Sequence, residues 1–187
     1  ANGIDIREHG SGNAGTTNAL RVLGKKAGAI VFTGDFLKCF IVIHLVKILF
    51  KGMAADILPL LGLYAATGCI LGHNFPVQLG FRGGKGIACT AGLLAAFDVR
   101  IGLIALLTFL AIVIATRYVS LGSMVIVSEF ALFIIVFGQL GLYHMAQAPL
   151  IELYVLAAFL AGMAIYRHRA NIVRLLNGTE NRIFEKK

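Results

Sequence analysis

The sequence predicts an all-α, polytopic membrane protein with six hydrophobic segments, on three observations. The chain of 187 residues is 58% hydrophobic and only 14% charged, with a mean hydropathy of +0.85; soluble domains run about 45–50% apolar and about 25% charged. Its apolar residues are gathered in runs close to the roughly 20 that one crossing needs. Its Lys and Arg residues are concentrated in alternate loops. These figures exclude a disordered chain and come close to excluding a soluble globular domain, and the length allows about six or seven spans with short loops.

Residues 1–26 are polar and glycine-rich, without a signal-peptide core and without an initiator Met. Residues 28–50 form the first apolar run, which carries Asp35, Lys38, His44 and Lys47. Asp35 and Lys38 stand three apart and can pair. Intramembrane charges of this kind are either site residues or a packing device, and both readings stay open. His44 and Lys47 fall near the far end and receive no role. Residues 57–81 are uncharged and broken near their end by Gly72, His73, Asn74 and Pro76. Residues 87–97 are too short to cross alone, and a short apolar piece after a glycine turn reads as a half-helix lining a protein cavity. Residues 101–116, 118–138 and 149–166 complete the set; the second of these carries Glu129, which has no partner on its own helix, and the third carries Glu152. Cys39, Cys69 and Cys89 all fall in apolar stretches with no CxxC pair, and read as small buried hydrophobes with no metal site. No repeat or linker divides the chain, so residues 1–187 read as one domain.

Placing residues 1–26 on one side and alternating puts 13 of the 17 Lys and Arg residues on that side, against Lys47, Lys51 and Arg100 on the other, with Lys38 inside a span. The positive-inside rule makes the rich side cytoplasmic and the C-terminus internal. The net charge of +8 then belongs to cytoplasmic loops and to attraction for anionic membrane lipid rather than to nucleic-acid binding.

Four polar stretches converge on that side. The first, GSGNAGTTNALRVLGKKAG, supplies Ser11, Asn13, Thr16, Thr17 and Asn18 among glycines that let backbone N–H groups approach a ligand. A helix starting near Thr17 would put Asn18, Arg21 and Lys25 on one face. Composition leaves an anion site and a flexible loop with an N-cap equally open. The second, GHNFPVQLGFRGGKGIACTAG, sets Arg82 and Lys85 among Gly80, Gly83, Gly84 and Gly86, ahead of a short apolar helix. Glycine turn, Lys, then helix N-terminus is a way to cradle phosphate, and it is favoured over simple snorkelling charges. It is not a Walker A motif, which takes Ser or Thr after the Lys. The third, RYVSLGS, offers Ser120 or Ser123 as a ligand contact or a helix cap. The fourth, YRHRANIVRLLNGTENR, spaces His168, Asn171 and Arg174 by three, on one helical face.

Taken in order, these stretches resemble the bacterial acyl-phosphate:glycerol-3-phosphate acyltransferase family (PlsY-type). GSGNAGTTN with Arg21 is similar to its first motif, GHNFP with FRGGKG to its glycerol-phosphate loop, YVSL to its short serine element and HRANIVRLLNGTE to its third motif. Arg82 stands where Lys is commoner in the family, Cys89 where Thr is expected, and Cys39 where Gly is usual. The resemblance implies seven spans, one of them an N-terminal helix that would precede this numbering, and a site facing the cytoplasm of the bacterial inner membrane. It implies transfer of an acyl chain from acyl phosphate to the 1-hydroxyl of glycerol 3-phosphate, giving lysophosphatidic acid and phosphate. This is the first step of phospholipid synthesis, with handover to and from neighbouring enzymes expected. No cofactor and no metal are implied. Ser11, Asn13, Thr17, Asn18 and Arg21 would contact phosphate or acyl-phosphate oxygens. Gly83, Gly84, Lys85 and Gly86 would hold glycerol phosphate, and Ser120, His168 and Asn171 would complete the pocket, with His168, Lys85 and Arg21 nearest the chemistry. No acyl-enzyme is expected, because no nucleophile elbow is present. The competing class is a transporter or channel for phosphate or a small anionic metabolite, which would call for matching polar sequence on the outer face or inverted repeats.

Overall fold

The computed structural model describes residues 3–183, so Lys186 and Lys187, counted in the charge bias above, lie outside the described residues. Eight α-helices are present among them: α1 (Thr16–Leu23), α2 (Lys25–Phe50), α3 (Leu58–Asn74), α4 (Ile87–Phe97), α5 (Val99–Thr116), α6 (Val119–Gln139), α7 (Gln147–Arg167) and α8 (Arg169–Leu176). Five apolar helical stretches are long enough to cross a membrane, in α2, α3, α5, α6 and α7, and α4 is the short sixth segment. Large apolar side chains such as Ile48, Leu107, Ile114 and Val155 point outward. That suits a bundle whose surroundings are as apolar as its core.

The crossing helices form a ring. α2 packs on α3, α3 on α7, α7 on α6, and α6 on α5; α4 closes the ring by packing against both α2 and α5, which hardly touch one another. Two contacts fix α4 in that place. Gly92 lies so close to α2 that a Cβ there would collide with the carbonyl of Phe36. At the other end Lys47 Nζ donates to the carbonyls of Ala96 and Phe97. A helix of 11 residues is about 16 Å long, so it ends inside the bundle with open carbonyls, and Lys47 satisfies two of them. The sequence assigned Lys47 no part; it is the C-terminal cap of α4. Asp98 then caps α5, accepting from the Arg100 N–H at 2.9 Å and pairing with its guanidinium.

One helix runs differently from expectation. The face shared by Asn18, Arg21 and Lys25 does not exist, because α1 stops at Leu23. Gly24 (φ +87°) turns the chain, and Lys25 begins α2, exposed and away from the site. The turn is tight because a Cβ on Gly28 would sit 2.8 Å from the Leu20 side chain. Only glycine at both places folds α1 back onto α2. The start of α1, the 75–86 loop, the turn between α5 and α6, and α8 with the segment after it all lie at one end of the bundle.

Candidate active site

A cavity of about 630 Å³ opens at this end and continues between α2, α4, α5 and α6. Its inner part is apolar, with Phe36, Leu94 and Ile126 on its walls and the outward-facing Phe32, Leu103, Leu106 and Leu110 along its open side. Its mouth is polar and collects parts of all four stretches singled out in the sequence: Ser11, Asn13, Thr17 and Arg21; Lys85 and Gly86; Ser120 and Ser123; His168, Asn171 and Arg174.

The basic side of the mouth is organised by Glu180, which the sequence reading passed over. Its carboxylate is almost fully buried and accepts from Ser120 Oγ at 3.1 Å, Asn171 Nδ2 at 2.8 Å and Arg174 Nε at 2.8 Å. Asn171 in turn accepts from Lys85 Nζ. α8 ends at Leu176, Gly178 takes φ +68°, and the Thr179 N–H returns to the carbonyl of Arg174. This turn brings Glu180 back across α8. A lone carboxylate among Arg169, Arg174 and Arg182 was the available signal, since an acid inside a basic tract needs a reason to be there.

Burial pulls the Lys85 ammonium down to a pKa of about 8, opposed by Glu180 and reinforced by Arg174, Arg167 and Arg21. An anion in the cavity would restore its charge. His168 is buried, and its Nδ1 lies 2.7 Å from the carbonyl of Ala164. A carbonyl only accepts, so Nδ1 carries the proton and Nε2 keeps its lone pair. Burial first and Lys85 second push the imidazole down to a pKa of about 4. It is therefore neutral near pH 7. The Arg21 guanidinium has no ion-pair partner among the described residues, and the Thr16 hydroxyl is buried without a hydrogen bond. Among the described residues, neither α1 nor α4 has a side-chain cap on its first turn.

Several residues read as ligands also serve as scaffold. Asn18 is 1% exposed; its Oδ1 accepts the Ser11 N–H, and its Nδ2 donates to the carbonyls of Ile6 and His9. It folds the first loop. Gly83 and Gly84 do not offer their N–H groups to a ligand, because these donate to the carbonyls of Asn74 and His73 at 3.2 and 3.3 Å. Both positions need glycine for packing: a Cβ on Gly83 would strike the His73 carbonyl, and one on Gly84 the His73 ring. Their carbonyls are held by Arg167 Nη2 at 2.9 and 2.7 Å, a second residue the sequence reading missed. Arg82 is exposed and lies on neither cavity. The loop thus presents Lys85, Gly86 and the open N-terminus of α4, and spends Gly83 and Gly84 on its own shape.

The comparisons agree with this architecture. The family model described as glycerol-3-phosphate acyltransferase matches residues 1–178. A glycerol-3-phosphate acyltransferase of Clostridioides difficile (strain 630) is 46% identical over 187 residues, covering 99% of this chain and 85% of the relative. One from Thermoanaerobacter sp. (strain X514) is 42% identical, covering 98% of this chain and 84% of the relative. The crystal structure of PlsY (YgiH), an integral membrane glycerol 3-phosphate acyltransferase, in its glycerol 3-phosphate form superposes with a TM-score of 0.81 at 39% identity, over 97% of this chain and 83% of that one. Its lysophosphatidic acid form gives 0.75 at 37%, over 92% and 80%. With its motifs gathered at one mouth and its helices arranged as in those structures, the chain belongs to the glycerol-3-phosphate acyltransferase family.

Proposed function

We propose that the cavity transfers an acyl group from acyl phosphate to the 1-hydroxyl of glycerol 3-phosphate, giving lysophosphatidic acid and phosphate. The observation that carries this reading is the continuity of one cavity from a cationic mouth to an apolar groove open along its side. A product with a phosphate head and a fatty chain needs both halves at once. The acceptor phosphate would lie against Lys85, Gly86 and the N-terminus of α4, where charge and helix dipole favour an anion. Ser11, Asn13, Thr17 and Arg21, with the open first turn of α1, would take the donor phosphate. The acyl chain would lie along Leu94, Leu103, Leu106 and Leu110, reaching the lipid between α2 and α5.

The donor is a mixed anhydride, so the hydroxyl attacks its carbonyl directly. One C–O bond forms, the carbonyl–phosphate bond breaks, and phosphate leaves. His168 Nε2 accepts the hydrogen bond of the attacking hydroxyl and orients it. An imidazole with a pKa of about 4 is a poor final base, and the departing phosphate is more basic, so the proton passes to it. His168→Gln, which keeps an acceptor, should then retain more kcat than His168→Ala. Equal, large losses in both would return the proton to His168.

The alternating Lys and Arg bias supports placing the mouth at the cytoplasmic face of a bacterial inner membrane; handover of donor and product to neighbouring lipid enzymes, and residues 1–187 acting as one unit, belong to the same proposal. The family match does not favour a transporter. The deciding experiment supplies purified protein in lipid nanodiscs with acyl phosphate and glycerol 3-phosphate, without ATP, metal, acyl-CoA or acyl carrier protein. Lysophosphatidic acid and phosphate should appear in equal amounts. Product formed only with acyl-CoA or acyl carrier protein would overturn the donor assignment.

A further inference from the structure

Cys39, Cys69 and Cys89 are far apart in sequence, but the fold brings them together. Cys69 on α3 stands beside Cys39 on α2 and Cys89 on α4. The Cys89 sulfur, a carboxylate oxygen of Asp35 and a ring nitrogen of His73 all lie within 4.8 Å of one another. The reaction proposed above uses none of these groups. They sit behind the glycine loop, where a second cavity of about 410 Å³ is lined by Asp35, Lys38, Cys69 and His73 together with Gly83 and Gly84. Asp35 and His73 line both cavities and form the partition between them.

A cation is already bound there, on a tether. Lys38 Nζ lies 2.6 Å from Asp35 Oδ1 and 2.9 Å from His73 Nδ1, bridging the two from a side chain that is 40% exposed. We infer that Asp35, His73, Cys69 and Cys89 form a binding site for a thiophilic divalent metal ion of the zinc and cadmium class, which displaces the Lys38 ammonium. Two sulfurs, an imidazole nitrogen and a carboxylate oxygen suit tetrahedral zinc chemistry, whereas calcium and magnesium take oxygen ligands. Around such an ion, bonds of about 2.0–2.3 Å set neighbouring ligand atoms roughly 3.5 Å apart, so Asp35, His73 and Cys89 need to close by about an ångström, and Cys69, outside that 4.8 Å group, turns in as the fourth ligand. Binding forms four metal–ligand bonds, releases the two thiol protons to solvent, and lets the ammonium swing into the second cavity. Nothing is oxidised or reduced.

The closure acts on the loop through His73. Its carbonyl accepts the Gly84 N–H, and its ring fills the space a side chain at Gly84 would need. Drawing the ring toward the sulfurs moves the loop that carries Lys85, so a filled metal site suppresses acyl transfer. This second half rests on the function proposed above; metal binding itself does not.

The test titrates chelator-treated, full-length protein in nanodiscs with cadmium, reading cadmium–thiolate charge-transfer absorbance in the ultraviolet alongside acyl transfer. One cadmium per chain is expected, with about a tenfold loss of activity as the band saturates. Cys69→Ser and Cys89→Ser should each weaken the band, and together abolish it and keep activity within about twofold in the presence of the metal. The absence of a band in the wild type, or a band that persists in the double variant, overturns the site. A saturated band with unchanged turnover overturns the coupling. A band in protein that never makes lysophosphatidic acid leaves the site standing and sinks the proposed function instead.

Discussion

Raising the pH should loosen glycerol 3-phosphate through a single residue. Burial holds the Lys85 ammonium at a pKa of about 8 in the free protein, and the neutral amine offers the phosphate no charge. A ligand that binds only the protonated form sees its Kd multiplied by one plus ten to the power of pH minus pKa. Relative to pH 7, that is about twofold at pH 8 and about tenfold at pH 9, or about 1.4 kcal/mol. Two other groups are silent in this window. The second phosphate proton of the ligand leaves near pH 6, and His168, with a pKa of about 4, stays neutral. Calorimetric titration with glycerol 3-phosphate alone, between pH 7 and 9.5, isolates binding from chemistry. Lys85→Arg should bind more weakly at pH 7, because the Asn171 contact is shaped for an ammonium, yet show a flat profile, because guanidinium keeps its charge. A wild-type Kd that does not change from pH 7 to 9.5 would refute the assignment of Lys85 to the phosphate.

Glu180→Gln should lower kcat/KM more than tenfold and also lower the Tm. It replaces a buried acceptor of three hydrogen bonds, one of them from Arg174, and such charged contacts are each worth about 1.5–3 kcal/mol; wild-type kinetics would dismiss its organising part. Arg167→Met removes both clamps on the glycine-loop carbonyls, so KM for glycerol 3-phosphate should rise about tenfold or more with a smaller change in kcat; a pure kcat effect would contradict the clamp. His168 ties stability to pH. Its pKa falls from 6.5 in the unfolded chain to about 4 in the fold, so the unfolded state binds the proton more readily and stability falls as the pH drops from about 6.5 to 4. The full difference is about 3 kcal/mol, and His168→Gln should flatten that part of a Tm-against-pH curve; a parallel slope in the variant would count against it.

The crossing helices were legible because lipid imposes a simple demand: every backbone group must be satisfied within its own segment, so uninterrupted apolar runs mark them. The half-helix at residues 87–97 was legible by its length for the same reason. What fixes it in place was not. Lys47 reads in sequence as a stray charge near a helix end, and only the position of α4 shows that its ammonium serves carbonyls from another segment. Arg167 is the same case, for it looks like one more positive-inside charge until the glycine loop is seen folded against it. In both, the partner is a main-chain carbonyl, which has no sequence signature.

The glycine-rich stretches show why motif residues divide into ligands and scaffold only in three dimensions. A loop that binds an anion and a loop that folds on itself ask for the same groups: N–H donors, amide side chains and positions without a Cβ. Asn18 and Thr17 are neighbours of equal polarity on the same cavity, yet Asn18 spends its amide on Ile6, His9 and Ser11 while Thr17 has no such part in folding the loop. Gly84 and Gly86 stand two apart in one tract. Gly84 is glycine because His73 occupies the space beside it, and Gly86 (φ +81°) because the chain must enter α4 through a left-handed turn that leaves that helix's first N–H groups uncapped. Composition counts all of these alike. Lys85 escapes the ambiguity because its part-buried ammonium, unlike that of Lys47, holds no main-chain carbonyl among the described residues. Its one hydrogen bond among the described residues, to Asn171, is to a neutral group, and Glu180 only partly offsets the cations around it, so charge is left for an anion to balance, and the pH dependence of binding should expose that charge directly.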